Sequence, residues 1–367
     1  MSGLCGKDRK ETGAALTAGR GAEQEVRRLT IKGGYRKYGE VSFLRGFAIT
    51  TVIFMHLIQV FVAQGDIPQW LRFAASLGGT GGHVFVFCSG FGLYLSYLHR
   101  PVQAGEFLRK RFLKIYIPYI IVVIITFLLP HGGDEAERVR KLLSHIFLYK
   151  MFYEKYEISF GLQFWFISTI LQLYLLFPLL CRFREKTSRR ALVLAGLIIS
   201  VVWWVLMEAT GLGVYRIWGS CCFQYLWEFT LGMAAAEYMM NTESVRIPIL
   251  GLLAAAAVGL GLQALTAMHG GWAAAFNDVP ALIGYGSAAL LLYHFGRRII
   301  RPVFLWIDTI SYEWFLVHTE VMARFYGHLG DRIPNEVLKA VLATACSLAV
   351  AWLYAQVIRR LMKRLNV

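Results

Sequence analysis

Arg45 and His56 stand in a run, Ser42 to Leu57, that is otherwise almost wholly apolar. At about 100° and about 1.5 Å per residue, their spacing brings a helix back to nearly the same direction after about 16 Å. Both side chains therefore project from one helix face, the guanidinium near a boundary and the imidazole deep. An imidazole titrates near neutrality, so it can take a proton from a hydroxyl and return it to a leaving group. Inside a membrane such a group is costly unless it faces a polar interior, which makes His56 a functional candidate. A histidine hydrogen-bonded between helices for packing would look the same in sequence.

Other polar groups interrupt apolar stretches. Arg109, Arg111 and Lys114 lead into one of them and could grip the phosphates of a nucleotide-like carrier such as coenzyme A, or simply anchor the chain at lipid headgroups. The glycine-rich segment Gly78 to Gly82 precedes His83, which could bind substrate at an outer mouth. Ser89 and Gly90 could allow close helix packing or leave room for an acyl chain. Trp165 could anchor a span at the interface, and Ser168 and Gln172, four apart, could line a cavity or bond a neighbouring helix. Further on, Glu228 and His318, the latter flanked by Glu313 and Glu320, add ionisable groups to stretches that should otherwise be apolar.

The elements that must carry these groups follow from composition. The 367 residues are 57% hydrophobic and 17% charged, with mean hydropathy +0.51, too apolar for a soluble domain. A span needs roughly 20 apolar residues. Ten such stretches occur, at about 42–63, 77–98, 112–130, 162–181, 190–210, 219–240, 247–268, 276–296, 302–326 and 335–358, so the expected fold is an all-α, polytopic membrane bundle of about ten transmembrane helices. Most of the 38 Lys and Arg then fall on one side, which by the positive-inside rule is cytosolic and holds both termini. The formal charge of +15 therefore records topology, and no nucleic-acid partner is expected. Residues 1–35 are polar and basic without an apolar core, the pattern of a flexible cytosolic tail rather than a signal peptide, and residues 36–367 form one membrane domain. The stretch from Pro130 to Gly161 is expected as a solvated loop with a short surface helix, a lid being the alternative. Six cysteines show neither a disulfide framework nor metal-ligand spacing, and no metal is expected.

Taken together and in order, these segments resemble the acyltransferase-3 family of membrane O-acyltransferases. Arg45 and His56 fit its Arg-x10-His signature, Cys88 to Phe91 its LSGF segment, and Arg109 to Pro118 its RRRLLRIYP run. Trp165 to Pro178 is similar to its WFLS…YLLFP helix, and Ser311 to His318 to its SYxxYLxH span. Lys114 departs from the usual last arginine of the basic run, and His83 stands where many members carry an acid. The resemblance implies transfer of an acyl group, typically acetyl, from acyl-CoA to a hydroxyl of a bacterial cell-surface glycan or glycolipid, with the protein seated in the cytoplasmic membrane among its lipids. Arg45 and His56 would be catalytic, His56 as base or as acyl carrier, with Arg109, Arg111 and Lys114 on the carrier. His83, Ser89, Trp165, Gln172, Glu228 and His318 would line the substrate cavity. A glycan or lipid transporter would also want a polar cavity with buried His, Glu and Arg, but no paired inverted repeat is visible in the chain.

Overall fold

A computed structural model describes residues 38–62, 67–130, 134–242 and 247–366. The expected tail, 1–35, lies outside the described residues. Among those described, every regular element is helical. Helix α1 (Gly39–His56) ends in a π-turn, Leu57–Phe61. Next, α2 (Gln69–Ser76) continues through a 3-10 turn into α3 (Gly81–His99). They are followed by α4 (Ala104–Leu128), the short α5 (Glu135–Ile146), α6 (Trp165–Lys186) and α7 (Arg189–Thr210). The second half holds α8 (Leu226–Met240), α9 (Ile249–His269), α10 (Asp278–Phe295), α11 (Ile300–Asp308), α12 (Ser311–Leu329) and α13 (Glu336–Arg364).

Among the described residues, seven helices are long and apolar enough to cross a membrane: α1, α2–α3, α4, α6, α7, α9 and α13. Helices α8, α10 and α12, which lie in three of the other stretches expected to span, are not among the seven. Helix α8 has only 15 residues and α12 carries Glu313, Glu320 and Arg324, so neither reads as a simple apolar span. Outward-facing Leu175, Leu179, Ile198, Val202, Leu250 and Val258 are exposed, as expected of side chains that meet lipid tails. The chain is an integral membrane protein.

Two expected elements differ. The span expected at 302–326 is two helices, α11 and α12, separated at Thr309 and Ile310. The Thr309 hydroxyl donates to the Trp306 carbonyl at 2.7 Å, the local side-chain bond that competes with helix continuation. The span expected at 219–240 begins as a helix only at Leu226, because the residues before it form short turns. One of these, Arg216–Gly219, is capped by the Glu154 carboxylate, which accepts from the Arg216 and Ile217 backbone N–H groups at 2.8 and 2.9 Å.

Lipid tails are as apolar as leucine, so helices in a bilayer gain by close contact rather than by hydrophobic burial, and small residues permit that contact. Helix α1 lies on α11 at Gly46, where a Cβ would stand 2.0 Å from the Phe304 carbonyl oxygen. Helices α3 and α8 meet reciprocally. A Cβ at Gly90 would lie 2.1 Å from the Phe229 oxygen, and one at Gly232 would lie 2.1 Å from the Phe87 oxygen. Gly92, two residues on, has nothing within 4 Å of its missing Cβ. Gly90→Ala should therefore destabilise the protein in detergent by roughly 1–3 kcal/mol through overpacking. Gly92→Ala should change thermal melting little, and equal effects of the two would contradict the reciprocal packing.

Candidate active site

Helices α1, α3, α4, α6 and α12 surround a cavity of about 650 Å³, within the range of small-molecule sites. Arg45 and His56 both line it, as their shared helix face requires. His56 is 5% exposed, and its Nδ1 lies 2.8 Å from Nε2 of the fully buried His318 on α12. Hydrogen positions follow from the neighbours. His318 Nδ1 faces the carbonyls of Phe315 at 2.9 Å and Trp314 at 3.1 Å, which can only accept, so that nitrogen carries the hydrogen. Neutral His318 then offers a lone pair at Nε2, and the hydrogen shared with His56 belongs to His56 Nδ1. The basic nitrogen of His56 is thereby Nε2, the one not engaged by His318.

Around this pair the backbone is held by side chains. The π-turn after His56 leaves carbonyls without helical partners, and Arg72 donates to Ile58 at 2.7 Å and Val62 at 2.9 Å. Buried Gln163 accepts from the Thr319 hydroxyl at 2.8 Å and donates to the Leu316 carbonyl at 3.2 Å, fixing α12 beside His318. Tyr312 donates to the Ile115 carbonyl at 2.7 Å, within the turn of α4 that Pro118 loosens.

Toward one end of the cavity, Arg45 pairs bidentately with Asp308 at the end of α11. Nε donates to Oδ1 at 2.7 Å and Nη2 to Oδ2 at 2.9 Å. Asp308 is 4% exposed in its side chain and Arg45 41%, so the guanidinium also meets the cavity. The break between α11 and α12 makes this contact possible.

Toward the other end, His83 lies between two carboxylates, Glu228 Oε1 at 2.6 Å from Nδ1 and Asp278 Oδ1 at 3.6 Å from Nε2. Gln224 donates to the second oxygen of Asp278 at 2.7 Å. Donor atoms of His83, Glu228 and Asp278 lie within 4.8 Å of one another, a spacing open to a cation as well as to the hydrogen bonds observed. Trp165, Tyr225 and Arg216 complete this end, with the Arg216 guanidinium 3.7 Å from the Trp165 ring centre.

The remaining sequence candidates are placed as follows. Ser89 lines the cavity and its hydroxyl lies 3.3 Å from that of Tyr174, while the adjacent Gly90 packs against α8. Glu228 and His318 lie behind the wall and act on it through His83 and His56. Gln172 is not in the lining: its side-chain oxygen accepts from the Cys222 backbone N–H at 3.1 Å, a contact between α6 and the connector before α8. Ser168 likewise faces away, holding Lys150 at 2.9 Å. Arg109, Arg111 and Lys114 lie on α4 itself, at the end nearer Arg100; the wall takes Ile115 from this helix and none of the three cations. Asp308, Asp278, Arg216 and Gln163 were not singled out in sequence. Asp308 carried a signal, an acid within an apolar stretch.

The segment from Asp134 to Phe164 is more than a solvated loop. Ile158 and Leu162 line the cavity, so the segment covers it. Lys150, wholly buried, donates to Glu157 Oε2 at 3.1 Å, to Ser168 Oγ at 2.9 Å and to the Phe164 carbonyl at 3.0 Å. A buried ammonium with these acceptors is stable only while the cover stays seated. Beside it, buried His145 meets the Tyr119 hydroxyl at 2.5 Å and the Ser159 hydroxyl at 2.8 Å. Burial, helped by the Lys150 charge, holds its imidazole well below the ordinary histidine value.

A family model described as an acyltransferase domain matches residues 38–356. The chain belongs to the acyltransferase-3 family. No curated protein and no solved structure matches it significantly. The matched range includes His56, His318 and every residue of the cavity wall.

Two outcomes follow from these contacts. In a double-mutant cycle of Arg45→Met and Asp308→Asn, thermal denaturation should give a coupling of about 1–2 kcal/mol, limited by the solvent that reaches Arg45; additive losses would mean the pair contributes nothing. The second concerns pH. The unpacked cover takes up a proton at His145 near pH ~6.5 and the packed cover resists it, so its stability is full above that pH and falls below it by up to about 1.4 kcal/mol per unit. Hydrogen exchange across residues 135–160, corrected for intrinsic rates, should show this loss at pH 5, and His145→Asn should flatten it.

Proposed function

We propose that this acyltransferase-3 protein moves an acyl group, acetyl in the simplest case, from acyl-CoA in the cytosol to a hydroxyl of a cell-surface glycan or glycolipid. It would do so in a bacterial cytoplasmic membrane, among membrane lipids, with both termini cytosolic and no part for nucleic acid or a metal. The observation that carries the proposal is the free Nε2 of His56, set by His318 and facing a cavity that runs from Arg45 to Arg216.

The donor would enter from the basic end. Arg109, Arg111 and Lys114 offer charge-assisted hydrogen bonds to its phosphates, and Ile115, the next residue along α4, already belongs to the cavity wall, so a pantetheine arm would pass inward from there. Arg45 lies about 16 Å from His56 along α1 by helical rise. An oxyanion must lie about 3 Å from its donors, so Arg45 suits the carrier better than the carbonyl attacked at His56.

His56 Nε2 supports two routes. As base it takes the acceptor hydroxyl proton while that oxygen bonds to the thioester carbonyl carbon; the C–S bond then breaks and the thiolate recovers the proton. As nucleophile it takes the acyl group first, releasing CoA thiol, and passes it to the hydroxyl in a second step. His318 serves either route as a positioning residue, because its lone pair fixes the His56 hydrogen on Nδ1 and stabilises the charged ring. With labelled acetyl-CoA and purified protein, His56→Ala should abolish transfer at normal protein levels. His318→Phe should lower kcat roughly 10²–10³-fold with KM for the donor little changed. Full activity of His56→Ala would overturn the assignment, and acid-labile label on wild-type protein, released by neutral hydroxylamine and absent from His56→Ala, would separate the two routes.

A further inference from the structure

Arg216 reaches the cavity from the connector before α8 and is fixed twice. Its backbone N–H and that of Ile217 are held by Glu154, and its guanidinium lies flat enough on Trp165 to bring the carbon 3.7 Å from the ring centre. Two of its nitrogens, Nε and Nη2, are buried without a hydrogen-bond acceptor in line, and the neighbouring Tyr225 hydroxyl contacts the guanidinium without matching its charge. These two define the side edge of a guanidinium, whose parallel N–H bonds match the two oxygens of a carboxylate or phosphate. The same protein shows what that edge binds: Arg45 uses Nε and Nη2 to hold both oxygens of Asp308. Arg216 has no acid within ion-pair distance among the described residues; Glu228 and Asp278, at the same end, are engaged with His83 and Gln224.

A buried donor pair without acceptors is costly unless something fills it during function. Because this end of the cavity lies away from the basic cluster of α4, the group that fills it would belong to the acceptor rather than to the donor's phosphates. We propose that Arg216 is an oxyanion-binding subsite, and that the acceptor is an acidic glycan or glycolipid whose carboxylate or phosphate sits on the Nε/Nη2 edge while its hydroxyl reaches His56. The inference rests on the acyl-transfer reading for its name of acceptor, although the oxyanion subsite stands by itself.

Full-length protein in lipid nanodiscs is titrated with methyl glucuronide, methyl glucoside and glycerol phosphate, following tryptophan fluorescence, and the same preparation is assayed for thioester cleavage of acetyl-CoA. The wild type should bind one of the two anionic probes about tenfold more tightly than the glucoside; which anion is stronger identifies the source as carboxylate or phosphate. Arg216→Gln should reduce that preference to within about twofold, and Arg216→Lys, which keeps the charge without the fork, should leave an intermediate preference. Equal binding of all three probes by the wild type overturns the proposal without any variant, as does a preference that survives Arg216→Gln. Anion preference without thioester cleavage would sink the acyl-transfer reading and leave the subsite standing.

Discussion

One hydrogen bond, from His56 Nδ1 to His318 Nε2, joins α1 to α12 and depends on a chain of partners on both sides. On the α12 side, two backbone carbonyls fix the hydrogen on His318 Nδ1, Gln163 holds the carbonyl of Leu316 and the hydroxyl of Thr319, and Trp314 bonds Ser347 of α13 at 3.0 Å. On the α1 side, Gly46 lets α11 come close enough for Asp308 to engage Arg45. A shift of α1 against α12 by even a fraction of a turn would separate the rings. An imidazole in an apolar bundle has no water to replace a lost partner, so its tautomer is a property of the packing.

The same constraint explains where irregular backbone occurs. The π-turn after His56, the break between α11 and α12, and the short turns before α8 all expose polar backbone at the cavity or beside it. At two of these places side chains satisfy it: Arg72 at the π-turn and Glu154 at the turns. Non-helical backbone within a membrane protein is tolerated where protein groups satisfy it.

Charge is distributed along the cavity in pairs of different completeness. Arg45 is fully matched by Asp308, and Lys150 by Glu157, Ser168 and Phe164. His83 is bracketed by two acids, while Glu228 Oε2 and the Arg216 edge are left open. The matched pairs are structural joints between α1 and α11 and between the cover and α6. Glu228 Oε2 and the Arg216 edge lie at the end where, in the proposed reaction, the acceptor would bind.

The hydrophobic pattern alone determined that this is a helical membrane bundle, because crossing hydrocarbon requires long apolar stretches whatever their order in space. It also put Arg45 and His56 on one face, since helical rise and turn depend only on spacing. Tertiary structure decided their partners. His318 stood out in sequence as one of several polar interruptions, but nothing local connects it to His56, 262 positions away. Polar residues from Asp308 to Glu313 interrupt the apolar run there, but nothing local shows that the helix breaks at Thr309 or that Asp308 meets Arg45, and Gln172 shared a helical periodicity with cavity-lining residues while its contact lay with Cys222. Arg216 lay in a connector with no periodic pattern at all. Periodicity reports which way a side chain leaves its own helix; which groups it meets is fixed only when close glycine contacts and buried polar pairs set the helices against one another.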